Sequence, residues 1–397
     1  MKTQIKLHLS LAAGLAAFTS SLFAQLSIPS DGSDGALNIT GNTVIDLSQA
    51  VTGNWTNNNS ASAGQGIYDP SKWAVVFKYS SVNIQAGALV TFANHLTHAP
   101  VVWLISGDVT INGEVNLDGH NAGLNYTDAA EPGPGGFRGG TVGMSGFGPG
   151  GGYGGYPPHG YFSSLPYAYG NQQNVPLIGG SGDNYNGSDG GGGAILIAAS
   201  GTININGSVH ANSSSYYINS DYGQYYGSSG GAIRLISGQL TGIGSIAVSG
   251  ADAGRFRLEA TNAPGINLSL PGGVNPLTIL ASPFPLTLWP ATNAPIVKVT
   301  TILNANANVT APVDPKASLG AGQDDLAIAT TDPVTIGLQT SNFPTNGTVN
   351  VYIKSLSAGQ TVLTANCISG DSNSANWQLV TTLPVNHTVI QARAVFP

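Results

Sequence analysis

Apolar and polar positions alternate with a period of two along three stretches of the chain, 102–119, 196–213 and 233–250, which can be laid over one another without gaps. Val109, Ile111, Val115 and Leu117 alternate with polar neighbours, and so do Ile203, Ile205, Val209 and Ala211. A period of two sends these side chains to one face of an extended strand. Ser-Gly recurs at Ser106-Gly107, Ser200-Gly201 and Ser237-Gly238, a second glycine follows at Gly113, Gly207 and Gly244, and an aliphatic residue at Val115, Val209 and Ile246. Each copy therefore predicts two short strands with a bend between them, glycine permitting a tight corner at φ > 0. A looser copy starts at Val76, with Gly87 in the second glycine place, and a partial one at Phe256. In this alignment Arg234 shares a column with Trp103 and Ile197, and with Arg257 downstream.

A unit of this size cannot bury its apolar face alone and must stack on its neighbours. The expected fold is all-β: a parallel β-solenoid over 71–262, right-handed and β-helix-like, one coil per copy. A β-sandwich with accidental internal similarity is the alternative. Gly-rich insertions leave the solenoid over about 119–192 and 212–230. The polar segment 25–70 reads as an N-terminal cap. Segment 263–295 carries Pro264, Pro271, Pro276, Pro283, Pro285, Pro290 and Pro295. Proline is excluded from central strands, so this is a linker or a strip over the solenoid end. From Ile296 to the end, seven short alternating runs predict an immunoglobulin-like β-sandwich with Trp377 in its core.

Composition supports strands over helices. The chain has 55 glycines and only 8% charged residues, against about 25% in ordinary domains. Lys2, Lys6, the apolar run Leu9–Phe18 and Ala24 read as a signal peptide over 1–24, and the run is too short to span a bilayer. Removing Lys2 and Lys6 leaves 10 basic against 19 acidic residues, a net charge of −9 in place of −7. An acidic chain without a Lys/Arg cluster argues against nucleic acid and anionic membranes, and no later segment is apolar enough to span a bilayer. Cys367 is the only cysteine, which excludes an internal disulfide. Its strand-like setting predicts a small buried apolar residue.

The coil pattern resembles that of right-handed parallel β-helix proteins. The stretch from Pro29 to about Ala260 also resembles uncharacterised Gly-rich exported bacterial proteins with such a repeat and a C-terminal immunoglobulin-like domain. The segments carrying the resemblance begin at Ser30 (SDGSDGAL), Lys72 (KWAVVFKYSSVNI), Ala99 (APVVWLISGDVTINGEVNLDG), Glu131 (EPGPGGFRGG) and Gly190 (GGGGAILIAA). The resemblance implies fold and export, and no activity.

The insertions hold most of the tyrosines, among them Tyr153, Tyr156, Tyr161, Tyr216, Tyr217, Tyr225 and Tyr226. Aromatic faces beside Asn and Asp suit sugar rings, so these are the candidate ligand-binding residues. Packing of the loops onto the solenoid wall is the plainer role. The expected function is a secreted, non-catalytic structural or binding protein recognising extracellular polysaccharide. The alternatives are a polysaccharide-cleaving lyase or glycoside hydrolase on a β-helix, and a self-associating surface or matrix protein. An enzyme would draw on Asp118, Glu131, Asp183 and Asp189 as acids and on Arg138 or Arg234 as a charge clamp; His120, Asp128, His210 and Asp221 are further titratable candidates. Asp118 in Asp-Gly also suits a turn, Glu131 and Arg138 suit a simple ion pair, and β-helix lyases stack acids beside their arginine, a ladder missing next to Arg234 in the alignment. His95 and His98 with His120 lack the acidic or thiol ligands that would complete a metal site. No cofactor is expected beyond weak calcium binding, for which Asp31, Asp34 and the 183–190 loop offer oxygens.

Overall fold

The structure, a computed structural model, describes residues 26–121, 130–137, 173–182, 189–214, 216–219, 224–250, 254–270, 280–304, 309–310, 332–355, 358–385 and 388–397. It is nearly all β; the helical turns among the described residues are two 3-10 turns, Leu47–Gln49 and Ser60–Ser62. Three groups of parallel strands enclose one core. In the first, Ala74–Tyr79, Val101–Ile105, the start of Ala194–Ile205, Ala232–Thr241 and Arg255–Asn262 lie side by side. Their register makes continuous rows, Val75–Val101–Ile195–Ile233–Phe256 and Phe77–Trp103–Ile197–Leu235–Leu258. The second comprises Ala36–Ile39, Ser81–Ile84, Val109–Ile111 and Ile203–Ile205. The third comprises Thr43–Asp46, Leu89–Ala93, Glu114–Asn116, Ser208–His210 and Ser245–Ala247.

The alternating apolar residues of the copies, with Leu47, Val90 and Phe256, form the buried interior. Each fully buried Val, Leu or Ile there contributes about 1.5–3 kcal/mol. Trp103 is wholly buried and meets Tyr79 edge-on at 6.0 Å. The first wall is buried on both faces, which is why its strands read as continuous apolar runs. Its outer face, including Val76, Val102, Leu104 and Leu196, is covered by Leu26, Ile28, Leu286, Leu288 and Trp289.

The repeat glycines serve close approach. None of Gly113, Gly207 and Gly244 has a positive φ, and a Cβ would meet backbone oxygen at 2.3 Å at Gly113, 1.8 Å at Gly207 and 2.1 Å at Gly244. The ungapped alignment holds between the first two copies and breaks in the third. Ala199 pairs with Ser237, yet Thr202 pairs with Gln239, so a one-residue bulge follows Ala199. Before the bulge the third copy is therefore displaced by one, and Arg234 pairs with Leu196 on the outer face, not with the inward Ile197. A slip of one residue exchanges the faces of a strand.

Residues 26–69 close one end. Asp34 is buried and accepts from Lys78 N (2.7 Å), Asn59 Nδ2 (2.6 Å) and Gly64 N (2.9 Å). Asp31 pairs with the buried Lys78 ammonium at 3.1 Å. Burial pushes the Asp31 carboxyl up, but hydrogen bonds from Ser33 and the Lys78 charge outweigh it and hold it at about 2. The carboxylates of Asp31 and Asp34 thus accept from protein donors, and residues 183–188 of the other loop named for calcium lie outside the described residues. In the Pro-rich segment, Ser269 bridges to Ser245, Leu280–Ala281 runs parallel to Leu258–Glu259, and Leu286, Leu288 and Trp289 return over the first wall.

Beyond Pro295, Ile296–Asn304, Val309–Thr310, Val334–Ser341, Thr348–Ser355, Gly359–Gly370, Ser374–Thr381 and Thr388–Val395 pair antiparallel around a second core. The run expected at Leu326 lies outside the described residues. Val334–Ser341 alternates strictly between buried and half-exposed positions. Trp377 is buried and donates from Nε1 to Thr340 Oγ1 at 2.9 Å. Cys367 corrects the expectation of burial: it is exposed. Ala365 is the last core residue of its strand; Cys367 pairs with Trp377 just before a register shift, and its own side chain stays outside the core.

Candidate functional site

The five-stranded wall offers a polar outer face. Val90, Val115, Val209 and Ile246 point into the core, and the residues flanking them are half-exposed. Glu114 aligns with Ser208 and Ser245, and Asn116 with His210 and Ala247. His210 reaches Glu114 on one diagonal and Asp118 on the other. Its Nε2 is 2.8 Å from Glu114 Oε1. Its Nδ1 is 2.9 Å from Asp118 Oδ1, an ion-pair distance out of line for a hydrogen bond. Burial works against the imidazolium, but the charges of Asp118 and then Glu114 prevail and raise the His210 pKa above its ordinary value. Asn212 Nδ2 lies 3.4 Å from Asp118 Oδ2, and its backbone N–H donates to Oδ1 at 2.5 Å.

A second cluster forms where the long insertion leaves and returns. Glu131 Oε1 accepts from Asn94 Nδ2 at 2.7 Å and lies 2.9 Å from His98 Nε2. Burial raises the Glu131 pKa, and the hydrogen bond and charge of His98, Asn94 and the charge of His120 together bring it below the usual value. His95 stacks on Tyr68 at 4.2 Å, and its Nδ1 faces Thr97 Oγ1 at 2.9 Å. Burial, with the neighbouring His98 charge, lowers its pKa. His95 and His98 therefore face different partners. Among the described residues no group of three His, Cys, Asp or Glu converges on a metal position.

The described parts of the insertion are held by glycine backbone. Gly133 N–H donates to Gly191 O at 3.0 Å, Phe137 to Gly180 at 2.9 Å, Gly180 to Gly192 at 2.7 Å and Gly192 to Ser229 at 3.0 Å. A Cβ on Gly180 would stand 2.1 Å from Ser229 O. Only glycine allows these strips to lie so close, and their packing brings Glu131 to His98.

The other candidates are placed apart. Asp189 is buried and accepts from Asn121 Nδ2 at 2.7 Å and Ser214 Oγ at 3.0 Å, a structural tie across the insertion base. Arg234, also buried, donates from Nε to Glu259 Oε1 at 3.0 Å, and Arg257 shares the same oxygen. So an acid does stand beside Arg234, on the neighbouring strand two residues beyond its register partner Arg257. Tyr216–Asn219 and Gln224–Gly227 form an antiparallel pair with Tyr217 opposite Tyr226 and Tyr225 opposite Ile218. Tyr153, Tyr156, Tyr161, Arg138, Asp128, Asp183 and Asp221 lie outside the described residues. Sequence reasoning passed over Glu114, Asn94 and Glu259. Glu114 was legible in principle, as the outward residue preceding Val115 in a repeat copy.

Among the described residues no helix is long and apolar enough to cross a membrane. Comparison of the chain with protein-family models, with curated proteins and with solved structures finds no match.

Proposed function

We propose that this is an exported, non-catalytic protein that binds extracellular polysaccharide, built as a right-handed parallel β-solenoid followed by an immunoglobulin-like sandwich. The parallel rows running through all copies support the solenoid, and the alternating antiparallel strands around Trp377 support the sandwich. The reading keeps the resemblance to Gly-rich exported bacterial proteins and the signal peptide over 1–24.

The observation that carries the function is the polar wall around His210. Its Glu, Asn and Ser side chains stand in rows on rigid strands, and the Tyr-bearing strands 216–227 follow directly in the chain from Ser208–His210. Rows of hydroxyl, amide and carboxylate groups match sugar hydroxyls, and neighbouring tyrosines supply ring faces. A hydrolase keeps its two carboxyls about 5–9.5 Å apart with room for substrate or water. Here the imidazole of His210 fills the space between Glu114 and Asp118, which favours binding over cleavage.

The test is a pull-down of the mature protein on a panel of soluble and insoluble polysaccharides, with mass spectrometry of the supernatants. Retention without released oligosaccharides is expected, with loss of retention but not of melting temperature in the Tyr216, Tyr217, Tyr225 and Tyr226 to Ala variant. Released oligosaccharides would turn the reading to a lyase or hydrolase. Neither retention nor release would turn it to self-association.

A further inference from the structure

Three arginines lie close together on the outer face of the first wall, on its last two long strands. Arg255, Arg257 and Glu259 alternate along one strand with the inward Phe256 and Leu258. Arg234 on the neighbouring strand pairs in register with Arg257. Glu259 is the acid between them: Oε1 receives Arg234 Nε at 3.0 Å and Arg257 Nε, and Oε2 receives Arg234 Nη2 at 3.3 Å. One carboxylate thus answers two guanidiniums in a chain whose acids outnumber its bases 19 to 12.

Arg234 is 3% exposed, and its Nη1 is buried and has no hydrogen-bond partner among the described residues. A buried guanidinium donor left unmatched is costly, because it has lost water and gained nothing. Burial accordingly lowers the Arg234 pKa, with Glu259 opposing and Arg257 adding to the fall. Arg257 is 16% exposed and is the more open of the two guanidiniums. The planar fork of arginine fits a carboxylate with two parallel hydrogen bonds.

We infer that Arg234 and Arg257 form a site for the carboxylate of an acidic polysaccharide, an inference that rests on the polysaccharide reading and names its ligand class. A second carboxylate would bring the charges to balance and give Nη1 its acceptor. The site lies on the outer face of a different wall from His210, so the two surfaces can be separated by mutation.

The experiment measures binding of the full mature chain to polygalacturonate, to the same polymer with its carboxyls reduced to alcohols, to monomeric galacturonate and to a neutral glucan. Arg257→Gln is the variant, since it leaves the Arg234–Glu259 pair intact, and its melting temperature is checked against wild type. The expected result is binding of polygalacturonate that weakens at least about tenfold on carboxyl reduction and about tenfold in Arg257→Gln, with unchanged binding of any neutral glycan. Equal binding of the native and reduced polymers, or an unaffected Arg257→Gln, overturns the carboxylate site while polysaccharide binding stands. Monomer competing as well as polymer, carboxylate for carboxylate, overturns the polysaccharide as its source. Retention on no glycan, neutral or acidic, overturns both readings.

Discussion

Arg234 stands directly beside Leu196 across the parallel ladder, one position away from the partner that the sequence repeat assigns to it. This single offset carries its side chain out of the apolar core and onto Glu259. Because both groups are almost wholly buried, removing the acid alone leaves the Arg234 guanidinium out of water and uncompensated beside Arg257. Glu259→Gln is expected to cost about 3–5 kcal/mol in chemical denaturation. The double variant Arg234→Met with Glu259→Met should recover a large part of that loss. Equal losses in the single and double variants would show that the ion pair is not the source.

The stacked glycines predict a contrast between two substitutions of the same kind. At Gly207 a Cβ would stand 1.8 Å from Gly113 O, whereas at Gly41 nothing lies within 4 Å. Gly207→Ala must push two stacked segments apart and should lose about 1–3 kcal/mol or more. Gly41→Ala should leave the melting temperature within about a degree of wild type or raise it slightly. Similar shifts in the two would refute close approach as the reason for the repeat glycine.

His210 makes stability depend on pH in a defined direction. Its pKa in the folded chain is raised above the ordinary 6.5, so the fold favours the imidazolium. The stabilisation is complete below the unfolded value and is lost as pH rises through the folded one. Wild type should therefore lose stability relative to His210→Gln as pH rises from below the ordinary 6.5 through the raised folded value, read as a falling difference in denaturation midpoint. A pH-independent difference between the two would remove the Glu114–His210–Asp118 pairing from the account. Asp31 acts in the opposite sense: held at about 2 against an ordinary 3.8, it contributes above the higher value and fades as pH falls towards the lower.

Cys367 is the only cysteine and is exposed. A thiol reagent should label one thiol per native chain without denaturant, and Cys367→Ser should leave stability within about 0.5 kcal/mol of wild type. Labelling that requires unfolding would contradict the exposed position.

By itself the sequence determined that the protein is nearly all β and where its strands lie, because a period of two and a glycine column are local features that any stacked strand must carry. It also marked Asp118, Glu131, His210 and Arg234 as chemistry-bearing residues. Their partners were decided only by tertiary structure. Glu131 meets His98 because glycine strips distant in sequence pack side by side, and Arg234 meets Glu259 because its strand pairs with Arg255–Asn262 in a register that sets the two diagonally on the outer face. Cys367 lies outside a core whose edge depends on how the strands curl together. Local alternation fixes which residues can share a face; how far each strand extends, and which neighbour it meets at which register, follows from close packing between segments far apart in the chain.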